Sequence, residues 1–219
     1  MTTKRVDESP EPPSAGVRRV LNAVEVDPGV PVRLAADRRL AVEDWLLSAH
    51  SSPSLAREEW QEHKIALFPL GTLFSAVRIP GHLVSAAART ADLQEIDAFL
   101  DEVLSGGPVV CDAYGLRYYA LVPGRVPRTW QAAADEWRTQ DVDCLGCGTY
   151  LGVPRLDIVD HYARGGRSYW AVPMPSAGVL CAPLSVARLI AAGADRSAGD
   201  VEEFRSVSGS TGLISAPRA

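Results

Sequence analysis

The sequence predicts an α/β (α+β) domain in which a central mixed β-sheet is flanked by helices. Segments whose apolar residues recur at helical spacing alternate along the chain with short runs that are rich in β-branched and aromatic residues. The 219 residues are 47% hydrophobic and 22% charged, which suffices for one ordinary core. Several groups of strands with helices between and around them define this fold class.

Two helices and two strands are predicted in the first part of the folded region. Apolar residues at helical spacing indicate a helix over residues 36–50, and a serine cap begins a second, short helix over residues 54–62. The stretches 64–70 and 73–77 are short apolar runs on either side of Gly71. They predict two strands that are joined by a turn.

Helical periodicity returns after these strands. It predicts one helix over residues 80–89 and another over residues 90–104, for which Thr90 is the candidate N-cap. The stretches 108–112 and 116–122 carry β-branched and aromatic residues and flank a short turn. We therefore expect a β-hairpin here.

The last part of the domain is predicted to contain two helices and two strands. Proline in the first turn and apolar residues at helical spacing indicate a helix over residues 127–138. Strand-like segments follow at residues 149–153 and 168–172, separated by a polar loop. A final helix over residues 184–192 closes the unit.

Two tails are predicted around a single domain of residues 36–194. Residues 1–35 hold five prolines among acidic and small residues, a composition that favours disorder. Residues 195–219 are rich in small and charged residues, so a flexible C-terminal tail is expected. The first residues do not resemble a signal peptide, and no apolar stretch reaches the roughly 20 residues of a spanning helix. We expect a cytoplasmic protein with no membrane segment.

Charge and motifs argue against several classes of function. The net charge of −5 and the pI near 5.4 remove the broad basic surface of many nucleic-acid-binding proteins, so any DNA contact must be local. The sequence contains no phosphate-binding P-loop, no Gly-x-Ser-x-Gly elbow and no Gly-x-Gly-x-x-Gly turn. The common NTPase, hydrolase and dinucleotide-binding interpretations therefore lose their motif support.

The cysteines include one local motif, in which Cys144 and Cys147 have the spacing of half a zinc site or of a redox pair. Cys111 and Cys181 do not form a second pair, and the residues after Cys147 continue as a strand instead of beginning a helix. Zinc at Cys144 and Cys147 is therefore not expected. We interpret the cysteines as buried, small apolar residues in a reducing compartment.

A polar loop over residues 157–166 places His161 beside Asp157 and Asp160. Carboxylates near an imidazole can bind a cation or tune a general base. Solvated charges in such a loop require no function, and this is the interpretation that we favour.

Four pieces of the sequence occur in the order of a known family. They are Glu59-Trp60 before LFPLGTLF at residues 67–74, GLRYY at 115–119, DCLGCGTYLGVP at 143–154, and GGRSYW at 165–170. Over about residues 45–190 they resemble the N-terminal domain family of bifunctional DNA primase/polymerases, especially its short versions. The resemblance implies a two-layer primase/polymerase-like domain.

Active members of that family use several carboxylates and a histidine to hold two divalent metal ions. In this chain the first acidic motif falls at residues 74–77, which contain no carboxylate, the histidine position is Arg117, and only Asp143 persists. The resemblance therefore implies that the scaffold is kept and the catalytic residues are lost. No resident cofactor is expected, and Asp143 is the one position at which Mg²⁺ or Mn²⁺ would bind.

We therefore predict a catalytically degenerate accessory or regulatory protein whose groove binds a nucleotide or single-stranded DNA. The residues expected to line the groove are Ser75, Arg117, Tyr119, Asp143, Tyr150 and Arg167. The arginines would contact phosphate, and Asp143 would contact a sugar or a residual metal ion.

Two alternatives stay open. In the first, the protein is an interaction module that engages a protein partner through its Pro-rich N-terminal tail and exposed aromatic residues. In the second, it is an active metal-dependent nucleotidyl transferase with relocated ligands. That activity would require at least two carboxylates to converge near Asp143, and the positions that decide it are those of Asp97, Asp112 and Asp157.

Overall fold

The computed structural model describes the backbone of residues 30–160 and 168–210 and the side chains of residues 34–160 and 168–199. The helices are α1 (Val30–Leu47), α2 (Pro53–Glu62), α3 (Gly81–Ala88), α4 (Leu93–Val103), α5 (Val126–Thr129), α6 (Gln131–Trp137) and α7 (Pro183–Ser210), with a 3₁₀ turn at Arg138–Gln140. The strands are β1 (Ile65–Pro69), β2 (Phe74–Pro80), β3 (Val109–Asp112), β4 (Arg117–Pro123), β5 (Asp143–Leu145), β6 (Tyr150–Pro154) and β7 (Ser168–Val172). None of the helices in the described ranges combines the length and apolar character that crossing a membrane requires.

The strands form two sheets, and every pairing in the described residues is antiparallel. Strands β1 and β6 pair as a two-stranded ribbon, and the other five form a sheet in the order β5-β2-β4-β3-β7. The predicted α+β class is confirmed, and so is the β3–β4 hairpin. The sheet is antiparallel rather than mixed, because each strand runs opposite to its described neighbours, and only β3 and β4 are joined directly by a turn.

The five-stranded sheet is buried on both faces. Helices α3, α4, α6 and α7 cover one face in what we call the helix-side core, which includes Val77 and Tyr118. Helices α1 and α2 and the β1–β6 ribbon cover the other face in the ribbon-side core, which includes Ala76 and Leu121. The sheet is therefore a middle layer instead of one of two layers. This arrangement explains why β2 is almost continuously apolar instead of alternating.

Both terminal helices extend into the predicted tails, and α1 ends at Leu47, three residues before its predicted limit. Helix α1 begins at Val30 and α7 ends at Ser210, so residues 30–35 and 195–210 of the expected tails are helical. In α7, Arg196 donates a hydrogen bond to the carbonyl of Ala87 at 2.5 Å, which joins the extension to the end of α3. The remaining tail residues, 1–29 and 211–219, lie outside the described residues.

Two internal helix predictions needed correction. Helix α4 is capped by Asp92, whose Oδ1 accepts from the backbone N–H groups of Gln94 at 2.9 Å and Glu95 at 3.0 Å. Thr90 lies two residues too early to reach them and instead accepts from the Asp92 N–H at 3.1 Å. The predicted helix over residues 127–138 divides into α5 and α6 at Trp130, which has a non-helical backbone.

The predicted turn at Gly71 joins two sheets rather than two paired strands. Strand β1 pairs with β6, while β2 pairs with β4 and β5. Gly71 has a φ of +95°, a backbone conformation that side chains disfavour. This glycine therefore lets the chain leave the ribbon and enter the five-stranded sheet.

Candidate functional site

A polar patch interrupts the apolar surface of the five-stranded sheet on its ribbon side. We define the patch as Arg78 on β2, Arg117 and Tyr119 on β4, Asp143 on β5, and Asp141 in the turn before β5. Their neighbours on alternate positions, such as Val77 and Tyr118, belong to the helix-side core. Because side chains alternate between faces along a strand, the patch residues of β2 and β4 point to the opposite, ribbon side.

Strand register brings these residues together. Arg78 lies directly opposite Tyr119 on one neighbouring strand and opposite Asp143 on the other. Cross-strand partners share one face of a sheet and have Cβ atoms about 4.5–5.5 Å apart. Arg117 is two residues from Tyr119 on the same face, so it is a diagonal neighbour of Arg78 at about 7–8 Å. One small ligand can therefore contact both guanidinium groups and the tyrosine ring.

Two ion pairs fix the arginines in place. Arg78 Nη2 contacts Asp143 Oδ2, and these side chains are 35% and 33% exposed. Arg117 Nη2 donates to Asp141 Oδ2 at 2.9 Å, and the Arg117 side chain is 33% exposed. Each guanidinium has five N–H donors, so one carboxylate contact leaves donors for a ligand. The Nε of Arg78 is buried and has no hydrogen-bond partner among the described residues.

The electrostatics of Tyr119 reflect this environment. Burial raises the pKa of its phenol, and the nearby Asp112 raises it further, while Arg78 and Arg117 act in the opposite direction. The neutral phenol ring is therefore the form that faces a ligand. Asp112 is itself held at the end of β3, where its Oδ1 accepts from the N–H groups of Tyr114 at 3.2 Å and Gly115 at 3.3 Å.

The structure brings together three of the six predicted groove residues, Arg117, Tyr119 and Asp143. Ser75 is fully buried on the other face of β2, and its hydroxyl donates to the carbonyl of Gly124 at 3.1 Å, so its placement in the groove is wrong. Tyr150 lies on β6 in the other sheet. Arg167 falls outside the described residues.

Arg78 and Asp141 are the patch residues that the sequence did not suggest. Arg78 carried one usable signal, because it is the sole charged residue in the otherwise apolar strand FSAVRIP. Asp141 carried none, since it reaches Arg117 from a turn in which it adopts a left-handed φ of +59°.

The patch does not fit the two-metal site that the family resemblance implies. The candidate carboxylates have other partners. Asp143 binds Arg78, and Asp112 accepts from the backbone N–H groups of Tyr114 and Gly115. Asp157 makes a bidentate pair with Arg155 at 2.5 and 2.6 Å, and Asp97 accepts from Tyr169 at 3.2 Å. No group of three or more His, Cys, Asp or Glu residues within the described part of the chain could hold a metal ion.

The cysteines lie in three different environments. Cys111 and Cys181 are buried, as expected, but Cys144 is only half-buried and Cys147 is exposed. Cys147 Sγ lies 3.7 Å from the carbonyl oxygen of Gly71, where the β5–β6 turn packs against the exit from β1. The expectation of four buried cysteines is therefore wrong for this motif. His161 lies outside the described residues.

A second polar contact joins a half-buried carboxyl to a residue of the helix-side core. Asp97 of α4 meets Tyr169 of β7, and burial raises the pKa of this carboxyl to about 7. Burial also raises the pKa of the neighbouring Cys111 thiol to about 12, so it is a poor nucleophile. These groups are on the opposite side of the sheet from the patch and do not add to it.

Comparison with known proteins leaves the family open, because no protein-family model, no curated protein and no solved structure matches this chain.

Proposed function

We propose that this domain binds a nucleotide at the polar patch and acts as an accessory or regulatory protein without catalysing nucleotide transfer. The observation that carries the proposal is the register of Arg78, Arg117 and Tyr119, which places two guanidinium groups and an aromatic ring on one face of the sheet. The resemblance to primase/polymerase domains adds a reason to test nucleotides first.

The patch offers the contacts that a nucleotide requires. Guanidinium groups bind phosphate through charge-assisted, often bidentate hydrogen bonds. An aromatic ring can stack on a base, and such stacking contributes about 1–3 kcal/mol per base. The Asp143 carboxylate, already oriented by Arg78, can accept a hydrogen bond from a sugar hydroxyl or a base N–H.

Local charge favours a mononucleotide over a long strand. The patch and its border combine two arginines, Arg78 and Arg117, with three aspartates, Asp112, Asp141 and Asp143. The whole chain carries a net charge of −5. A strand would extend its phosphates beyond the two arginines across an acidic protein, whereas a mononucleotide places its phosphates only at the patch.

A noncatalytic role is supported by the ion-pair and hydrogen-bond partners that the acidic residues already have. Arg78 occupies the position beside Asp143 at which a metal-binding site would need a second carboxylate or a histidine. Asp97 and Asp157, which could have supplied relocated ligands, are bound to Tyr169 and Arg155. A binding role uses the arginines directly and needs no carboxylate cluster.

The test is fluorescence anisotropy with a ribose-labelled ATP and a labelled oligothymidylate at low and moderate salt. We expect the double variant R78A/R117A to bind ATP at least about tenfold more weakly, because a hydrogen bond to a charged group contributes about 1.5–3 kcal/mol. Arg125 and Arg128 are exposed on another part of the surface, so R125A/R128A is the charge-matched control and should bind as the wild type does.

Removal of Arg78 leaves Asp143 without its partner, so a second variant is needed. Tyr119→Leu keeps both ion pairs and removes the stacking ring, and it should weaken ATP binding about fivefold or more. Unchanged affinity in both variants, with the wild type binding, would place the ligand elsewhere and overturn the proposal. Tighter binding of the oligonucleotide, lost in R78A/R117A, would identify a strand as the ligand of the same patch.

A wild-type protein that binds neither probe would favour the protein-interaction alternative. One observation points to it: Leu67 is 54% exposed and Tyr150 is 66% exposed on neighbouring strands of the ribbon. Large apolar side chains that cluster on a surface are typical of protein contacts. The expected contribution of the N-terminal tail falls outside the described residues.

A further inference from the structure

We infer that a second site, a cavity between α1 and the chain around β7, binds a small amphipathic anion with an apolar body and one carboxylate. The cavity has a volume of about 270 Å³. Its floor is apolar and its rim is cationic, which is the combination that such a ligand requires. The cavity shares no residue with the nucleotide patch, which lies on β2, β4 and β5 and in the turn before β5.

The floor of the cavity consists of buried residues from different elements. Val42 of α1, Trp170 of β7 and Met174 are 2%, 1% and 7% exposed and belong to the ribbon-side core. The indole Nε1 of Trp170 donates to the carbonyl of Pro154 at 3.0 Å, so its polar atom is already satisfied. The floor therefore offers the indole ring and aliphatic surface, against which an apolar ligand body is stabilised by leaving water.

The rim is formed by the same face of α1 that supplies the floor. Ala35, Arg38, Arg39 and Val42 line the cavity at helical spacing, so they form one stripe. On the C-terminal side of Val42 this stripe is apolar, and its Leu46 packs in the ribbon-side core. At the cavity it becomes cationic, which places two guanidinium groups above an apolar floor.

These arginines are available to a ligand. Neither Arg38 nor Arg39 makes an ion pair with another described residue, and both are exposed. Arg39 lowers the pKa of the Asp157 carboxyl, but both oxygens of that carboxylate are already bound by Arg155 at 2.5 and 2.6 Å. A ligand carboxylate would therefore meet two cations whose hydrogen-bonding capacity is not committed to a protein carboxylate.

Volume sets the size of the ligand. The volume of the cavity is about nine times the ~30 Å³ that one water occupies in the liquid. A ligand of about nine or ten nonhydrogen atoms would therefore fill it. A medium-chain acyl carboxylate such as octanoate has this size and polarity. Its chain would lie against Trp170 and its carboxylate would meet Arg38 and Arg39.

The test compares octanoate, 1-octanol and octylamine by isothermal titration calorimetry on the full chain. We expect octanoate to bind most tightly, octanol more weakly and octylamine least, and added salt should weaken octanoate binding and leave octanol unchanged. R38A/R39A should weaken octanoate binding at least about tenfold and leave octanol unchanged, whereas the charge-matched R125A/R128A should change neither.

A second pair of variants tests the cavity itself. Ala35 lies on the rim and is exposed, so A35W should fold normally and block the cavity. Ala36 is also exposed but does not line the cavity, so A36W is its matched control. Loss of octanoate binding in A35W but not in A36W supports the site. The inference is overturned if the wild type does not bind octanoate, if both tryptophan variants bind equally, or if R38A/R39A retains wild-type affinity.

Discussion

At the scale of single residues, Asp97 has the largest pKa shift among the carboxyl groups in the described part of the chain. Burial raises its pKa from 3.8 to about 7; Asp160 and Asp92 raise it further, and the hydrogen bond from Tyr169 acts against them. The folded protein therefore binds a proton that the unfolded chain has released above about pH 4. Stability from this group is fully present in acid and is lost as the pH rises through about 7.

We predict that Asp97→Asn stabilises the protein more at about pH 8 than at about pH 5, because the stability lost through this carboxyl accumulates between the unfolded and the folded pKa. Asparagine removes the buried negative charge and can still accept from the Tyr169 hydroxyl. The expected gain at the higher pH is about 1–2 kcal/mol, after a discount for partial access of solvent. Urea denaturation at the two pH values measures it.

Asp157 supplies the control for this prediction. Its pKa is lowered, first by the hydrogen bond from Arg155, so its stabilising contribution is present above its unfolded pKa and is lost as the pH falls. Asp157→Asn should therefore give no gain at about pH 8. An Asp97→Asn protein no more stable than the wild type at that pH would contradict the assigned cause of the pKa shift.

At the scale of elements, the β1–β2 connection at Gly71 contacts the β5–β6 turn at Cys147, where the ribbon meets the five-stranded sheet. A Cβ built on Gly71 would lie 2.4 Å from the backbone N of Cys147 and 2.5 Å from its Sγ. Gly148 has a similar positive φ, +84° against +95° for Gly71, but nothing lies within 4 Å of its Cβ position. Substituting each glycine therefore distinguishes the cost of a side chain at positive φ from the added cost of a steric contact.

Gly148→Ala should cost about 1–2 kcal/mol, the penalty for a side chain at positive φ. Gly71→Ala should cost clearly more, about 3 kcal/mol or above, because the backbone of Cys147 must also move. Urea denaturation of both variants measures the difference. Equal losses would mean that the β5–β6 turn moves away from Gly71 without cost.

The elements that the sequence predicted well are those whose partners are local. The β3–β4 hairpin follows from two strand-like runs around a short turn, and β7 begins and ends at the predicted residues. In contrast, the pairing of Leu67 with Gly152 joins distant parts of the chain, so the turn at Gly71 looked like a hairpin. Strand β5 has three residues, which is too short for a periodic pattern to show.

Prediction of the site is limited in the same way, because strand pairing between distant parts of the chain brings its residues together. Arg117, Tyr119 and Asp143 were found through their resemblance to a family pattern, but Arg78 lies 65 residues from Asp143 in sequence and is brought to it only by β-pairing. Ser75 was misplaced because the choice of sheet face depends on which side of β2 each core covers. A shift of one residue along a strand reverses the face.

At the scale of the whole molecule, the five-stranded sheet is shared by both cores and by both proposed sites. Strand β2 supplies Val77 to the helix-side core and Ala76 to the ribbon-side core, and β3 supplies Cys111 and Val110 in the same way. Loss of either core would expose one full apolar face of the sheet. The two halves should therefore stabilise each other and not unfold separately.

We predict one cooperative unfolding transition. In a W130F/W137F protein the remaining tryptophans, Trp45, Trp60 and Trp170, belong to the ribbon-side core, so fluorescence reports that half. Far-UV circular dichroism is dominated by helices, including those of the helix-side core. The two signals should give the same urea midpoint, because the shared sheet couples the cores. A fluorescence midpoint clearly below the dichroism midpoint would show that the ribbon, α1 and α2 unfold first, and that the sheet is stable with one face uncovered.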